Sequence, residues 1–99
     1  MFRDGGTIRL AIAGEIDLKN RESLISACIA ALQESVSLLE IDLAGVTFCD
    51  SSGVSGLLAI HRIAAGDGKR MVLINPQGQV ERTLQVAGLL NRLTGRESS

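Results

Sequence analysis

The sequence predicts an α/β domain with a small mixed, largely parallel sheet of about four strands and three or so helices. Segments with apolar residues at every second position alternate along the chain with segments in which they recur every three or four residues. Ninety-nine residues is the usual size of one domain, and the 45% hydrophobic residues include only two aromatic ones. We therefore expect residues 1–99 to form a single domain with an aliphatic core over about residues 7–93 and frayed ends at residues 1–6 and 94–99.

The first strand and the first helix are predicted in the N-terminal third of the chain. Apolar and polar residues alternate over Thr7–Ala13, which is typical of a strand with one buried face, and Gly14 ends the alternation. Asp17 or Asn20 can cap the helix that follows. The apolar positions of this helix have three- and four-residue spacing: Leu24, Ile25, Cys28, Ile29, Leu32 and Val36.

The middle of the chain predicts a second strand, a turn and a second helix. Leu38–Leu43 alternates, so that its leucines and isoleucine share one face and Glu40 and Asp42 share the other. We expect a turn at Ala44 and Gly45, followed by a short apolar segment over residues 46–49. The polar residues 50–53 then open a helix that runs to about Ala65.

A third strand and a third helix complete the predicted fold. Arg70–Asn75 contains four consecutive apolar residues, which favours an interior strand covered on both faces. The third helix is expected from about Gln77 to Val86, with Val80 and Leu84 facing inward and Gly88 as the left-handed residue after its end. Right-handed crossovers make successive strands parallel after the first, and three helices suggest that one sheet face is covered and the other partly open.

Composition and charge exclude several classes of function. The net charge is −1 and the ten basic residues are scattered, so nucleic acid is not expected as a ligand. No apolar run approaches the roughly 20 residues of a membrane span, so we expect a cytoplasmic protein with no membrane partner. Cys28 and Cys49 lie far apart in sequence and the chain has one histidine, which argues against a zinc site and gives no reason for a disulfide.

Catalytic and cofactor sites are not supported by the residues present. His61, the one candidate base, lies ten residues after Ser51 on the same predicted helix, about 15 Å away at a rise of about 1.5 Å per residue. Neither of the glycine-rich phosphate-binding motifs G-x-x-x-x-G-K-S/T and G-x-G-x-x-G occurs. Glu15 and Asp17 are a weak candidate for a metal site. We therefore predict no enzyme activity, no metal and no cofactor. His61 falls within the apolar arc of its helix, which favours a structural histidine that contacts a backbone group, with a pH switch as the alternative.

The segment Val46–Gly53 is the most distinctive local pattern. An apolar strand end is followed by an acid, two hydroxyls and a glycine at a predicted helix start. Capping alone explains these residues, because Asp50 or Ser51 can accept from the first backbone N–H groups of the helix. The alternative is a phosphorylation site, because a hydroxyl at the positive end of a helix is a favourable place for a phosphate.

Two motifs together resemble the STAS domain family, specifically the bacterial anti-sigma factor antagonists. Gly14–Leu18 follows the first strand and Ile41–Gly53 leads into the second helix, at the separation found in that family. A third segment also resembles the family's closing region through Val80, Arg82, Leu84, Gly88, Leu89 and Leu93. Residues before Thr7 and after Leu93 are few, which leaves the family's first edge strand open and predicts an absent or rudimentary final helix.

The resemblance implies a module that switches between partners. In such families the unphosphorylated antagonist binds an anti-sigma factor that is itself a serine kinase, which frees a sigma factor. The kinase then phosphorylates the first serine after the aspartate, here Ser51, and a PP2C-type phosphatase reverses the modification; adjacent Ser52 leaves a second candidate acceptor. The partner-binding residues implied are Asp17, Asp50, Ser51, Ser52, Gly53 and Val54. The alternative is a STAS subunit that binds its partner constitutively in a transport or signalling assembly, without phosphorylation.

Overall fold

Strands and helices alternate after an initial hairpin in the computed structural model, which describes residues 2–95 and the side chains of residues 5–95. The strands are β1 (Phe2–Asp4), β2 (Thr7–Ile16), β3 (Leu38–Cys49) and β4 (Arg70–Ile74). The helices are α1 (Arg21–Leu32), α2 (Ser51–Gly66), α3 (Gly78–Val86) and the single turn α4 (Leu90–Leu93). This architecture confirms the predicted fold class.

The sheet has the order β1-β2-β3-β4. β2, β3 and β4 are parallel, because α1 and α2 each cross over between two of them, and β1 pairs antiparallel with β2. The parallel arrangement brings the carboxyl ends of β2 and β3 to the same edge of the sheet, where Ile16 pairs with Cys49.

The helices cover one face of the sheet. Leu39, Ile41 and Leu43 on that face of β3 are fully buried in a cluster that includes residues of all four helices. Glu40 and Asp42 point to the other face and are partly exposed. The Nη2 of Arg9 on the neighbouring strand β2 lies 3.1 Å from the Oε1 of Glu40 across this open face. The prediction of one covered and one partly open face is confirmed.

The structure differs from the prediction at both ends of the chain. Phe2–Asp4 was expected to fray but forms β1, because the Gly5-Gly6 turn, with Gly5 at a φ of 59°, returns the chain onto β2. At the other end Thr94 donates its side-chain hydroxyl to the Leu90 carbonyl at 2.6 Å, so it is tied to α4. Met1 and residues 96–99, which were also expected to fray, lie outside the described residues.

β3 is one continuous strand, so the predicted turn at Ala44 and Gly45 is wrong. The irregularity lies in the pairing with β2, whose register shifts between Ala11 and Ala13. A Cβ on Gly45 would lie 3.2 Å from the Ile12 carbonyl oxygen. The glycine therefore permits close approach of two strands and does not mark a turn.

β4 is an edge strand, so its predicted interior position is wrong. Met71 and Leu73 are buried against the helices, whereas Val72 and Ile74 on the other face are only partly buried. In the helical regions, Val36 lies beyond the end of α1 but is still buried. The left-handed Gly88 after α3 is confirmed by its φ of 75°. No helix within residues 2–95 has the length and apolar character needed to cross a membrane.

Candidate functional site

The two motifs noted in the sequence meet at the carboxyl ends of β2 and β3. Ile16 and Cys49 are paired, and the Asp50 N–H donates a hydrogen bond to the Ile16 carbonyl at 3.2 Å. The chain leaves β2 through residues 17–20 and leaves β3 directly into α2. The candidate site is therefore formed by these two adjacent segments.

Asp50 caps α2 and leaves Ser51 facing outward. Asp50 has an extended backbone, with φ −93° and ψ −175°, and its Oδ1 accepts from the Gly53 N–H at 2.9 Å. This is the N-cap geometry expected of an aspartate, so the predicted capping role is confirmed. Ser51 is the first residue of the helix and is exposed, whereas Ser52 is half-buried.

Gly53 and Val54 belong to the first turn of α2 and are buried. A Cβ on Gly53 would lie 2.7 Å from both the Cys49 Sγ and the Ile16 carbonyl oxygen. Val54 is 8% exposed. Both residues are buried, and their predicted binding to the partner stays a prediction.

Asp17 organises the loop between β2 and α1. Its Oδ1 accepts from the N–H groups of Lys19 and Asn20 at 3.0 and 3.3 Å. The Asn20 side chain completes the loop, since it accepts from the Asp17 N–H and donates to the Glu15 carbonyl. These bonds hold Leu18 outward with 72% of its surface exposed. No group of three or more His, Cys, Asp or Glu side chains suited to a metal occurs among the described residues.

Gln79 attaches α3 to the end of β3 and was not identified from the sequence. Its Oε1 accepts from the Cys49 N–H at 2.9 Å and its Nε2 donates to the Cys49 carbonyl at 3.0 Å. The same Nε2 lies 2.7 Å from the Thr83 hydroxyl. The contact joins residues 30 positions apart, so no local sequence pattern signals it.

Exposed apolar side chains lie on the segments that form the site or are attached to it. Leu18, two residues after the end of β2, is 72% exposed. Phe48, next to the last residue of β3, is 40% exposed. Val86 is 90% exposed and lines a shallow groove on α3 together with Gln79 and Thr83. Two sequence signals could have predicted this exposure. Leu18 lies in a polar stretch, and Val86 is out of phase with the inward-facing Val80 and Leu84.

The Cys49 thiol is not activated as a nucleophile, and His61 is too far from Ser51 to act as its base. Burial, with a further contribution from the Asp50 charge, raises the pKa of the Cys49 thiol to about 11. His61 lies on the far part of α2, and its buried Nδ1 has no hydrogen-bond partner within the described residues. The backbone contact predicted for His61 is therefore not present at that atom.

Comparison with known proteins supports a single family. The family model described as Mlab, STAS domain, matches residues 2–95. The anti-sigma F factor antagonist of Lysinibacillus sphaericus is 31% identical over 84 residues, which cover 84% of this chain and 72% of that protein. The anti-sigma factor antagonist SpoIIAA in its unphosphorylated form superimposes with a TM-score of 0.80 at 25% identity, covering 95% of this chain and 82% of that one.

Larger proteins contain a similar segment. A probable sulfate transporter of Arabidopsis thaliana is 33% identical over 64 residues, or 65% of this chain. The chain spans only 10% of that transporter's length and 14% of a second one. The similarity therefore concerns one segment of each transporter.

Proposed function

Because the chain belongs to the STAS domain family, we propose that it is a bacterial, cytoplasmic anti-sigma factor antagonist, which binds an anti-sigma factor with serine kinase activity and thereby frees a sigma factor. We further propose that phosphorylation of Ser51 ends this binding and that a PP2C-type phosphatase restores it. The single observation that carries the proposal is the exposed Ser51 at the Asp50-capped start of α2.

The helix start supports Ser51 as the phosphate acceptor. Ser51 is exposed, whereas neighbouring Ser52 is half-buried, so a kinase reaches Ser51 with less rearrangement. The kinase transfers the γ-phosphoryl group of ATP to the Ser51 oxygen and releases ADP and the hydroxyl proton. In the first helical turn the new charge is stabilised by roughly 0.3–1 kcal/mol, since N–H groups point toward it.

The surroundings of Ser51 support its role as a switch for partner binding. Leu18 and Phe48 offer apolar contacts, and Asp17 and Asp50 offer carboxylates. A partner that covers this surface has apolar pockets and hydrogen-bond-donating groups facing the acids. A phosphate adds about −1.5 to −2 charges beside Asp50, and docking would strip water from that charge. Phosphorylation therefore weakens the complex.

The family comparison also supports an alternative, in which the chain is a constitutive interaction subunit of a transport or signalling assembly. The specific observation is the 33% identity with a segment of a sulfate transporter. In that case the same surface binds a partner, but Ser51 is not phosphorylated.

Intact mass spectrometry after incubation with ATP and the anti-sigma factor kinases of the host separates the two functions. We expect the wild-type chain and the matched control Ser52→Ala to gain one phosphoryl group, and Ser51→Ala to gain none while retaining kinase binding. A phosphate on Ser52 would contradict the assignment of the acceptor. Stable binding to a non-kinase partner, with no phosphoryl transfer from any of these kinases, would contradict the switch and support the alternative.

A further inference from the structure

A cavity lies at the β4 edge of the sheet, away from Ser51. Its volume is about 200 Å³, and its walls include His61 of α2, Arg70 and Met71 of β4, and Arg92 of α4. His61 is ten residues after Ser51 on one helix, or about 15 Å along its axis. The cavity is therefore separate from the proposed partner-binding surface.

The cavity has a positive electrostatic environment. Arg70 and Arg92 are exposed, and neither has an ion pair or side-chain hydrogen bond with residues 5–95. Lys69 also lines the cavity, but its ammonium donates to the carbonyls of Leu32 and Glu34 and is directed elsewhere. No acidic side chain of residues 5–95 lines the walls. Among the described residues, the two guanidinium groups therefore have no counter-charge.

Further polar groups accompany this charge. His61 Nδ1 is buried and has no hydrogen-bond partner within the described residues, and buried polar groups are rarely left unpaired. The Arg70 N–H donates to the Ser37 carbonyl at 2.9 Å, toward β3. Because alternate peptide groups of a strand face opposite sides, the Met71 N–H faces the free edge, where the cavity lies.

We propose that this cavity binds a tetrahedral oxyanion, sulfate or a phosphate group, held by the guanidinium groups of Arg70 and Arg92 and by the imidazole of His61. Guanidinium groups bind such oxygens with paired, charge-assisted hydrogen bonds. A ring nitrogen of His61 donates a further hydrogen bond. The proposal is independent of the phosphorylation of Ser51.

His61 provides a direct measurement, because it is the only histidine in the chain. Burial lowers the pKa of His61, and the charges of Arg92 and Arg62 lower it further. A bound dianion opposes both arginine charges and favours the imidazolium form. We therefore expect the His61 pKa, followed by the NMR signals of its ring protons, to rise in sodium sulfate relative to sodium chloride of the same ionic strength.

Variants distinguish a site from general screening. Arg92→Gln should weaken the affinity for sulfate, measured from the His61 shift at constant pH, by roughly tenfold or more. Arg82→Gln removes the same charge from α3, outside the cavity, and should leave the affinity within about twofold. Equal loss in both variants, or identical His61 titrations in sulfate and chloride, would overturn the proposal.

Tighter binding of glycerol 1-phosphate than of sulfate or inorganic phosphate would identify a phosphomonoester as the ligand; the reverse order would identify the inorganic ion.

Discussion

Asp50 and Gly53 stabilise the same helical turn in different ways. The Asp50 carboxylate supplies an acceptor for the Gly53 N–H, which has no partner within the helix. Gly53 lacks the Cβ that would collide with Cys49 and Ile16, so α2 can begin directly against the ends of β2 and β3. Together they place Ser51 outside the core, although Ser51 itself makes none of these contacts.

Gly53→Ala is expected to lower the free energy of unfolding by about 1–3 kcal/mol, because the added methyl group overpacks a closed contact. Gly66→Ala is the matched control at the other end of α2, where a Cβ would meet nothing within 4 Å. The control should be neutral or stabilising by up to about 1 kcal/mol, because alanine favours the helix. Urea denaturation followed by circular dichroism measures both values. Equal stabilities of the two variants would contradict the close contact at Gly53.

Residue roles that depend on local contacts could be predicted from the sequence, whereas those that depend on distant contacts could not. The Asp50 cap joins residues three positions apart and was one of the two caps that the sequence predicted, the other being Ser51. The pairing of Gln79 with Cys49 joins residues 30 positions apart, and glutamine has no preference that signals it. The exposure of Val86 was not predicted either, although this residue is out of phase with the inward-facing Val80 and Leu84.

At the scale of elements, the dependence on distant contacts also explains the errors in the predicted strands. The apolar run Met71–Ile74 predicted an interior strand, but whether another strand follows β4 in the sheet is decided by the whole topology. Gly45 predicted a turn because glycine favours both turns and close strand approach, and only the paired β2 distinguishes them. The α2 and α3 predictions were accurate because their apolar periodicity and end signals are local.

The attachment of α3 to β3 gives an element-scale prediction. Gln79→Leu removes the partners of both the N–H and the carbonyl of buried Cys49, which should lower the free energy of unfolding by about 1–3 kcal/mol. Gln85→Leu alters an exposed glutamine of the same helix and serves as the control, with an expected change within about 0.5 kcal/mol. Chemical denaturation measures the difference. A Gln79 variant as stable as the Gln85 variant would show that the amide contacts do not hold α3 in place.

At the scale of the whole molecule, the candidate site and the core are arranged so that a surface charge need not disturb the packing. The strongly buried residues of β3 and β4, such as Leu39, Ile41 and Leu73, lie within the sheet–helix interface. Ser51 is exposed at one end of that interface, and its nearest structural supports are the Asp50 cap and the buried Gly53. A phosphate on Ser51 would project into solvent and displace no core side chain.

We therefore expect phosphorylation of Ser51 to change partner affinity without refolding the chain. Within the molecule the helix terminus stabilises the phosphate by roughly 0.3–1 kcal/mol, partly offset by repulsion from Asp50, so the two forms should melt within a few degrees of each other. In a complex the phosphate also loses its water, which no contact within this chain offsets, and a cost of about 2.7 kcal/mol corresponds to a hundredfold loss of affinity. Backbone amide shifts should change at residues 50–54 and in the adjacent loop 17–20, with titration calorimetry reporting the affinity. Widespread shift changes in β4 or α4 would instead reveal a conformational switch, and equal affinities of the two forms would remove the electrostatic basis for partner release.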